Sequence, residues 1–440
     1  MKKLIFALLV LLLLPHLALA NEEIEISADF AGVYNVESGE MLYSKNSNTI
    51  VYPASLVKIM TSVLALEYYE KNGDLEVTVT ESALATLKGN DIDLEAGEKA
   101  SFYDLVAAVT VGGANDAALV VAEKISGSVE AFVDMMNDKA KKLGALNTNF
   151  DNPTGFHSPY MYTTVEDMAK ICAWANENKA FMTLSSLTEY EMRETNTHKK
   201  RVFTNSNLLL DPTHWLRHYV EGTKGMNAGS TAEAGYTLAT VYNNDGQTNI
   251  IILIGGKVNG WDYYYFDDAK KLIGYTSVSY QYKDLVEKDK PIADIKILYG
   301  KDTDHVLLTT KGPVSALLPE DASEEDITTD YKITKTDFRA PVKKGEEWGV
   351  LTVYYQGKAV ETVALVTQNT IKRDYFLFLT GIISNFFKLD ITKGVVYFLL
   401  STLFLASVIA YIAVYYRRQR ELERRRAEKR AKLKNAKRTI

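Results

Sequence analysis

The chain has 440 residues, 47% apolar and 11% aromatic, enough for two or three domains with sizeable cores and too apolar for a disordered chain. Its net charge of −6 conceals a split: residues 417–440 carry twelve Arg or Lys against three Glu, and with Lys2 and Lys3 set aside the segment 21–416 stands at −17. So acidic a body argues against a nucleic-acid binder, which must neutralise phosphates.

Lys2 and Lys3 precede an apolar run that closes on Ala18-Leu19-Ala20, a small-x-small cleavage pattern, so residues 1–20 read as a secretory signal peptide and the body as exported. Alternation from Ile24 to Tyr43, interrupted at Glu37-Ser38-Gly39-Glu40, predicts a strand hairpin. Helical periodicity follows at Leu56–Tyr69, Tyr103–Val111, Asp116–Ile125, Val129–Leu143 and Val165–Ala175. The last of these holds Cys172, the only cysteine, which excludes an intramolecular disulfide and fits a buried, inert thiol. Strand character returns at Tyr236–Tyr242 and Asn249–Ile254. The order strands, helices, strands predicts an α+β domain over 21–280 whose sheet is assembled from both ends of the segment.

Beyond a charged stretch, short strands at Ile292–Leu298, Val306–Thr309, Val314–Leu318, Trp348–Tyr355 and Ala359–Val366 predict a small all-β domain over 285–370. Tyr375–Phe387 is apolar and aromatic but too short to span a bilayer, and 371–393 reads as an interfacial segment. Gly394–Tyr416 carries no charge, and about 23 residues at 1.5 Å rise give roughly 34 Å, enough for a transmembrane helix. Arg417 and Arg418 follow at once, so the basic tail, 417–440, is expected in the cytoplasm and the acidic body outside. A solvated helix drawn to anionic lipids is the expected state of the tail.

The chemistry-bearing candidate is Ser55-Leu56-Val57-Lys58, which opens an apolar helix. Positions three apart share a helix face, so the Lys58 amine lies beside the Ser55 hydroxyl. A serine needs a base to become a nucleophile, and a desolvated lysine can serve. Backbone N–H groups at the helix start supply partial positive charge to an oxyanion. The alternative use of the same residues is an N-cap with a solvated lysine. The histidines at 157, 198, 214, 218 and 305 show no metal-ligand spacing, so no metal and no cofactor are expected.

Three further stretches accompany that tetrad. They are Val36-Glu37-Ser38-Gly39-Glu40 with Tyr43-Ser44-Lys45-Asn46, Asn152-Pro153-Thr154-Gly155, and Ala234-Gly235-Tyr236. Together with Pro53–Thr61 and Asn115-Asp116-Ala117-Ala118 they resemble the D-alanyl-D-alanine carboxypeptidases of the low-molecular-mass penicillin-binding protein family over most of residues 28–370. The resemblance implies a penicillin-binding/β-lactamase-like transpeptidase domain that trims peptidoglycan stem pentapeptides through an acyl-enzyme and is acylated by β-lactams. It implies Ser55 as nucleophile, Lys58 as base and Asn115 as a ligand for the substrate amide.

Two of the three motifs are altered. The family's Ser-x-Asn reads Gly113-Ala114-Asn115, and its Lys-Thr-Gly aligns with Asn227-Ala228-Gly229. Asn227, Gly229 and Ser230 are then the expected substrate-binding positions, with the hydroxyl relay lost at Gly113 and the carboxylate clamp lost at Asn227 and Ala228. Lys224 lies three residues before Asn227, and an odd offset on a regular strand points to the opposite face. A catalytically impaired member that binds cell-wall peptide or a morphogenesis partner is the alternative these losses imply.

Overall fold

A computed structural model describes residues 24–436 apart from 245 and 389; residues 1–20, expected to be a signal peptide, and the last four residues of the tail lie outside the described residues. The chain divides into two compact units, one made of the chain up to Lys283 with Ala316–Ser323, the other of Asp284–Ser315 with the chain from Glu324 onward.

The first unit is built on a five-stranded antiparallel sheet: β1 (Phe30–Asn35), β2 (Glu40–Lys45), β3 (Thr223–Thr231), β4 (Gly235–Asn244) and β5 (Gln247–Gly256), in the order β2-β1-β5-β4-β3. Phe30 lies opposite Ile254, so the N-terminal strand is closed by one made more than two hundred residues later. Strand side chains alternate between two apolar layers. Ala239, Val241, Ile250, Ile252 and Ile254 face one core with α1 (Val57–Asn72), α2 (Phe102–Thr110), α3 (Asn115–Ser126), α4 (Val129–Lys142) and α5 (Val165–Glu177). Ala31, Val33, Ala228, Leu238, Ile251 and Leu253 face the other, covered by α6 (Tyr264–Ser279) through Phe266, Ala269 and Leu272. The sheet drawn from both ends of the segment is as the sequence predicts.

Helix α1 is the centre of the larger core. Every residue from Val57 to Leu66 is buried, Lys58 included, because α1 is surrounded by other elements instead of lying on the surface. Helices α2, α4 and α5 begin with side-chain caps from Ser101, Ser128 and Thr164. Helices α1 and α3 begin without one, at Leu56 and Ala114. Both uncapped starts carry residues of the candidate site, Ser55 and Lys58 at α1 and Asn115 at α3.

The second unit contains an antiparallel five-stranded sheet in the order Ala293–Lys296, His305–Thr310, Lys358–Thr367, Glu347–Tyr355, Ile327–Ile333. Its core gathers Leu308, Leu351, Val353 and Leu365 around the fully buried Trp348. The strand Ile327–Ile333 is absent from the sequence reading: it is an edge strand with five exposed central residues, and so carries no apolar alternation. Helix Tyr375–Lys388 follows, and then a 47-residue helix, Asp390–Ala436, whose apolar part is long enough to cross a membrane.

Candidate active site

Ser55 lies in a 3-10 turn, Ala54–Leu56, that leads into α1. Its side chain caps neither helix, and Lys58 is buried, which disposes of the N-cap alternative. Ala54 has φ +47°, in the left-handed region that a residue with a β-carbon rarely enters. This strained residue immediately precedes Ser55.

The Asn152–Gly155 loop explains both features. Asn152 Oδ1 accepts from Thr154 N, Thr154 Oγ1 and Gly155 N, which folds the loop into a tight turn. That turn presents two successive carbonyls to one face of α1: Pro153 O accepts from Thr61 Oγ1 at 2.7 Å and Thr154 O from Lys58 Nζ at 2.5 Å. Gly155, at φ +79°, packs on the backbone of Ala54, where any β-carbon would overlap the Ala54 carbonyl. The loop thus fixes the backbone before Ser55 and the amine after it. Burial lowers the Lys58 amine from its ordinary value to about 7, so a large share is neutral at neutral pH.

Helix α3 contributes Asn115. Its Nδ2 donates to Lys88 O at 2.7 Å and its backbone N–H to Asn90 O, so its Oδ1 is left facing the cavity, buried and without a donor. Asp116 accepts from Ile92 N and Leu94 N, both at 3.0 Å, and so pins the loop that carries Asn90. Burial raises the Asp116 carboxyl above its ordinary value despite those bonds. Gly113 has φ +67° and open space where a β-carbon would sit, the nearest atom being Asn90 Nδ2 at 3.8 Å.

Edge strand β3 closes the site. Ser55, Lys58, Gly113, Asn115, Ala228, Gly229 and Ser230 line one cavity of about 530 Å³. Gly229 is fitted against Ser55, whose hydroxyl a β-carbon at 229 would overlap. Asn227 is buried two positions away, on the face that Gly229 presents to Ser55, with Oδ1 unpartnered; it is not among the lining residues. Ala228 lies opposite Leu238 in the other apolar layer, so its side chain turns from Ser55.

The odd-offset argument about Lys224 does not hold on this strand. The β3–β4 register shifts between Lys224 and Asn227: Lys224 pairs with Val241 and Asn227 with Ala239. Three steps on β3 answer two on β4, a bulge that returns Lys224 to the face of Asn227. Lys224 is nonetheless exposed and outside the cavity lining.

Sequence reasoning passed over Asn90, His157, Ser206 and Glu233, which also line the cavity. They stand on loops, where no periodicity marks them. His157 Nδ1 lies 3.8 Å from Glu233 Oε2, and its ring meets Tyr52 edge to face at 4.7 Å between centroids.

Residues 18–257 match the D-alanyl-D-alanine carboxypeptidase family, and residues 280–373 match the penicillin-binding protein 5 C-terminal domain. The chain belongs to the D-alanyl-D-alanine carboxypeptidase family. It is 29% identical to the D-alanyl-D-alanine carboxypeptidase DacF of Bacillus subtilis over 81% of this chain and 89% of that protein. It is 28% identical to DacC of Escherichia coli, over 77% and 83% respectively. Penicillin-binding protein 5 of Haemophilus influenzae superposes with a TM-score of 0.61 at 26% identity, over 80% of this chain and 99% of that one.

Proposed function

We propose that the protein is a serine-type D-Ala-D-Ala carboxypeptidase acting on peptidoglycan stem peptides, with Ser55 as nucleophile and Lys58 as its base. The observation that carries this reading is the buried Lys58 amine, lowered to about 7, three residues after a serine held against Gly229 in one cavity. Neutral Lys58 takes the Ser55 proton as Oγ adds to the D-alanyl carbonyl. Backbone N–H groups at the uncapped start of α1 meet the oxyanion. Asn115 Oδ1 accepts from an N–H of the substrate backbone, and Gly229 and Ser230 hold the peptide along β3 in the manner of an added strand, with Asn227 buried outside the cavity lining. With no hydroxyl at Gly113, the leaving amine is protonated by Lys58 itself.

The long apolar helix anchors the chain in the cell membrane with the acidic body outside and the basic tail in the cytoplasm. Incubation with a labelled penicillin tests the assignment. A covalent adduct is expected on the wild type and none on Ser55→Ala; a folded wild type that never acylates would refute it. The changes at Gly113 and Asn227 favour a second reading, a binder of cell-wall peptide with little turnover. Repeated Ser55-dependent cleavage of a D-Ala-D-Ala peptide eliminates that reading.

A further inference from the structure

Helix Tyr375–Lys388 turns a narrow face to the β unit. Phe378 meets Tyr299 edge to face at 5.3 Å between centroids, and a β-carbon on Gly381, one turn further, would overlap the Tyr299 ring. Much of the remaining surface is apolar and bare: Tyr375, Phe376, Leu379 and Ile382 are all exposed. Apolar surface of this kind, joined to a helix long enough to cross a membrane, is accommodated best in the headgroup layer.

Beside the start of that helix lies a cavity of about 520 Å³ lined by Lys301, Pro341, Lys372, Arg373, Asp374 and Tyr375. Three chain segments form it, held together where Gly300 pairs with Arg373, Val342 pairs with Ile371, and Lys301 N donates to Lys372 O at 2.8 Å. Arg373 is fixed in place: Nε donates to Ala340 O at 2.6 Å, and the guanidinium lies 4.4 Å from the centre of the Phe378 ring. Asp374, the one carboxylate of the lining, is committed to the helix start, where Oδ1 accepts from Phe376 N and Leu377 N. The Lys301 and Lys372 side chains are exposed, and neither amine has a hydrogen bond or ion pair among the described residues. A second cavity of about 680 Å³ shares both lysines and adds Asp302, Thr303, His305 and Asn369, with His305 engaged by Asp294 at 2.9 Å. Two free ammonium groups and a fixed guanidinium converge on one hollow in a body that is otherwise acidic, a setting that selects an anion.

We propose that the cavity beside Tyr375 holds the phosphate of an anionic phospholipid headgroup from the outer leaflet. Lys301 and Lys372 meet the phosphate, Arg373 adds its charge, and Thr303 and Asn369 offer hydrogen bonds to the hydroxyls of a polyol headgroup. A lipid suits the place better than a soluble phosphate because the cavity adjoins Tyr375 and Phe376, 77% and 75% exposed. An acyl chain leaving the headgroup has apolar surface to follow there, and a free phosphate gains nothing from it. The inference rests on the membrane reading above.

The test follows hydrogen–deuterium exchange at residues 297–303 and 369–376 of the full-length protein in detergent. Dioctanoyl phosphatidylglycerol, dioctanoyl phosphatidylcholine and inorganic phosphate are the probes. Phosphatidylglycerol should slow exchange in both segments by about 10-fold once it is in tenfold excess over its dissociation constant. Phosphatidylcholine, whose choline the lysines repel, and inorganic phosphate should have little effect at the same concentration. Combining Lys301→Ala with Lys372→Ala should raise the lipid concentration needed by about 30-fold, at roughly fivefold per lysine near a membrane surface. Both side chains are exposed, so an unchanged melting temperature is expected; should the double variant melt lower, Lys301→Gln and Lys372→Gln singly carry the same test at about fivefold each. Absence of protection by phosphatidylglycerol, protection undiminished in these variants, or equal protection by either other probe overturns the inference. Flotation with phosphatidylglycerol vesicles keeps the membrane reading separate. A protein that floats without a protected cavity keeps its anchor and loses this site, whereas one that does not float overturns both.

Discussion

Gly229 and Ser55 are packed so that a methyl group on residue 229 would occupy the place of the Ser55 hydroxyl. Gly229→Ala must therefore push the serine away from Lys58 or the edge strand away from the helix. A displacement of about 1 Å at a reacting atom removes on the order of 100-fold of rate. The expected result is a protein that melts close to wild type but acylates with penicillin at least 100-fold more slowly. Wild-type acylation by this variant would show that Ser55 does not react from the position described.

Under the proposed mechanism Lys58 sets the pH dependence. Its amine is held at about 7 by desolvation, and only the neutral form accepts the serine proton. Acylation rate should rise with pH through an apparent value near 7 and be flat above it. Stability moves in the same sense: because the folded value lies below the unfolded one of 10.5, the folded state binds fewer protons between them, and burial of the amine costs least at high pH. A rate still climbing steeply at pH 9 would mean an ordinary, solvated lysine.

Ala54 and Gly155 form a pair with opposite expectations. Ala54→Gly relieves a left-handed β-carbon and should leave the protein as stable or more so, by up to about 1 kcal/mol. Gly155→Ala drives a β-carbon into the Ala54 carbonyl at an already positive φ and should cost about 1 to 3 kcal/mol, with loss of acylation. Thermal melts of both variants check the signs.

Restoring a hydroxyl at Gly113 meets a compromise. The space is open, but φ +67° disfavours any side chain by about 1 to 2 kcal/mol. Gly113→Ser should lower the melting temperature while raising turnover of D-Ala peptides, by a factor within the roughly 100-fold to 10,000-fold span of general acid–base assistance. A destabilised variant with unchanged kcat would show that protonation of the leaving amine does not limit this enzyme.

Glu98 is fully buried and receives Arg201 Nη1 at 2.7 Å and Thr195 Oγ1 at 2.9 Å. Burial alone would raise its carboxyl, but Arg201, the Glu95 N–H and Thr195 together hold it below its ordinary value. Its contribution is thus present above the unfolded pKa and is lost as pH falls through the lower folded value. Arg201→Met should destabilise by about 3 to 5 kcal/mol at pH 7, and move acid unfolding to higher pH. An unchanged acid transition would relieve this pair of any part in it.

What the sequence revealed and what it withheld divide by physical cause. Helices α4 and α5 announce themselves because each buries an apolar face with a 3.6-residue period, and α1 to α3 because they are apolar almost all round; Ser55 and Lys58 stand out by their spacing, Asn115 and Gly229 by the family resemblance. The ribbon Glu189–Met192 with Arg201–Thr204 was invisible, as only Met192 and Phe203 of its eight residues are buried. Lys224 is the solvated edge lysine expected from the sequence, exposed and outside the cavity, but not for the reason of strand parity, which presumes an unbroken ladder; the bulge before Asn227 leaves no mark in composition. The strained φ of Ala54 was equally silent, being imposed by Gly155 a hundred residues away.

The pairing of Phe30 with Ile254 governs how the protein comes into being. At roughly 5 to 20 residues per second, ribosomes need about 10 to 40 seconds to produce the inner partner of the first strand after the strand itself. During that interval the hairpin of β1 and β2 presents an unpaired, apolar edge, and closing so distant a contact carries the entropy of a long loop. The nascent chain therefore spends its early life as a template for β-aggregation, and its yield should depend on holdase chaperones far more than its finished stability suggests.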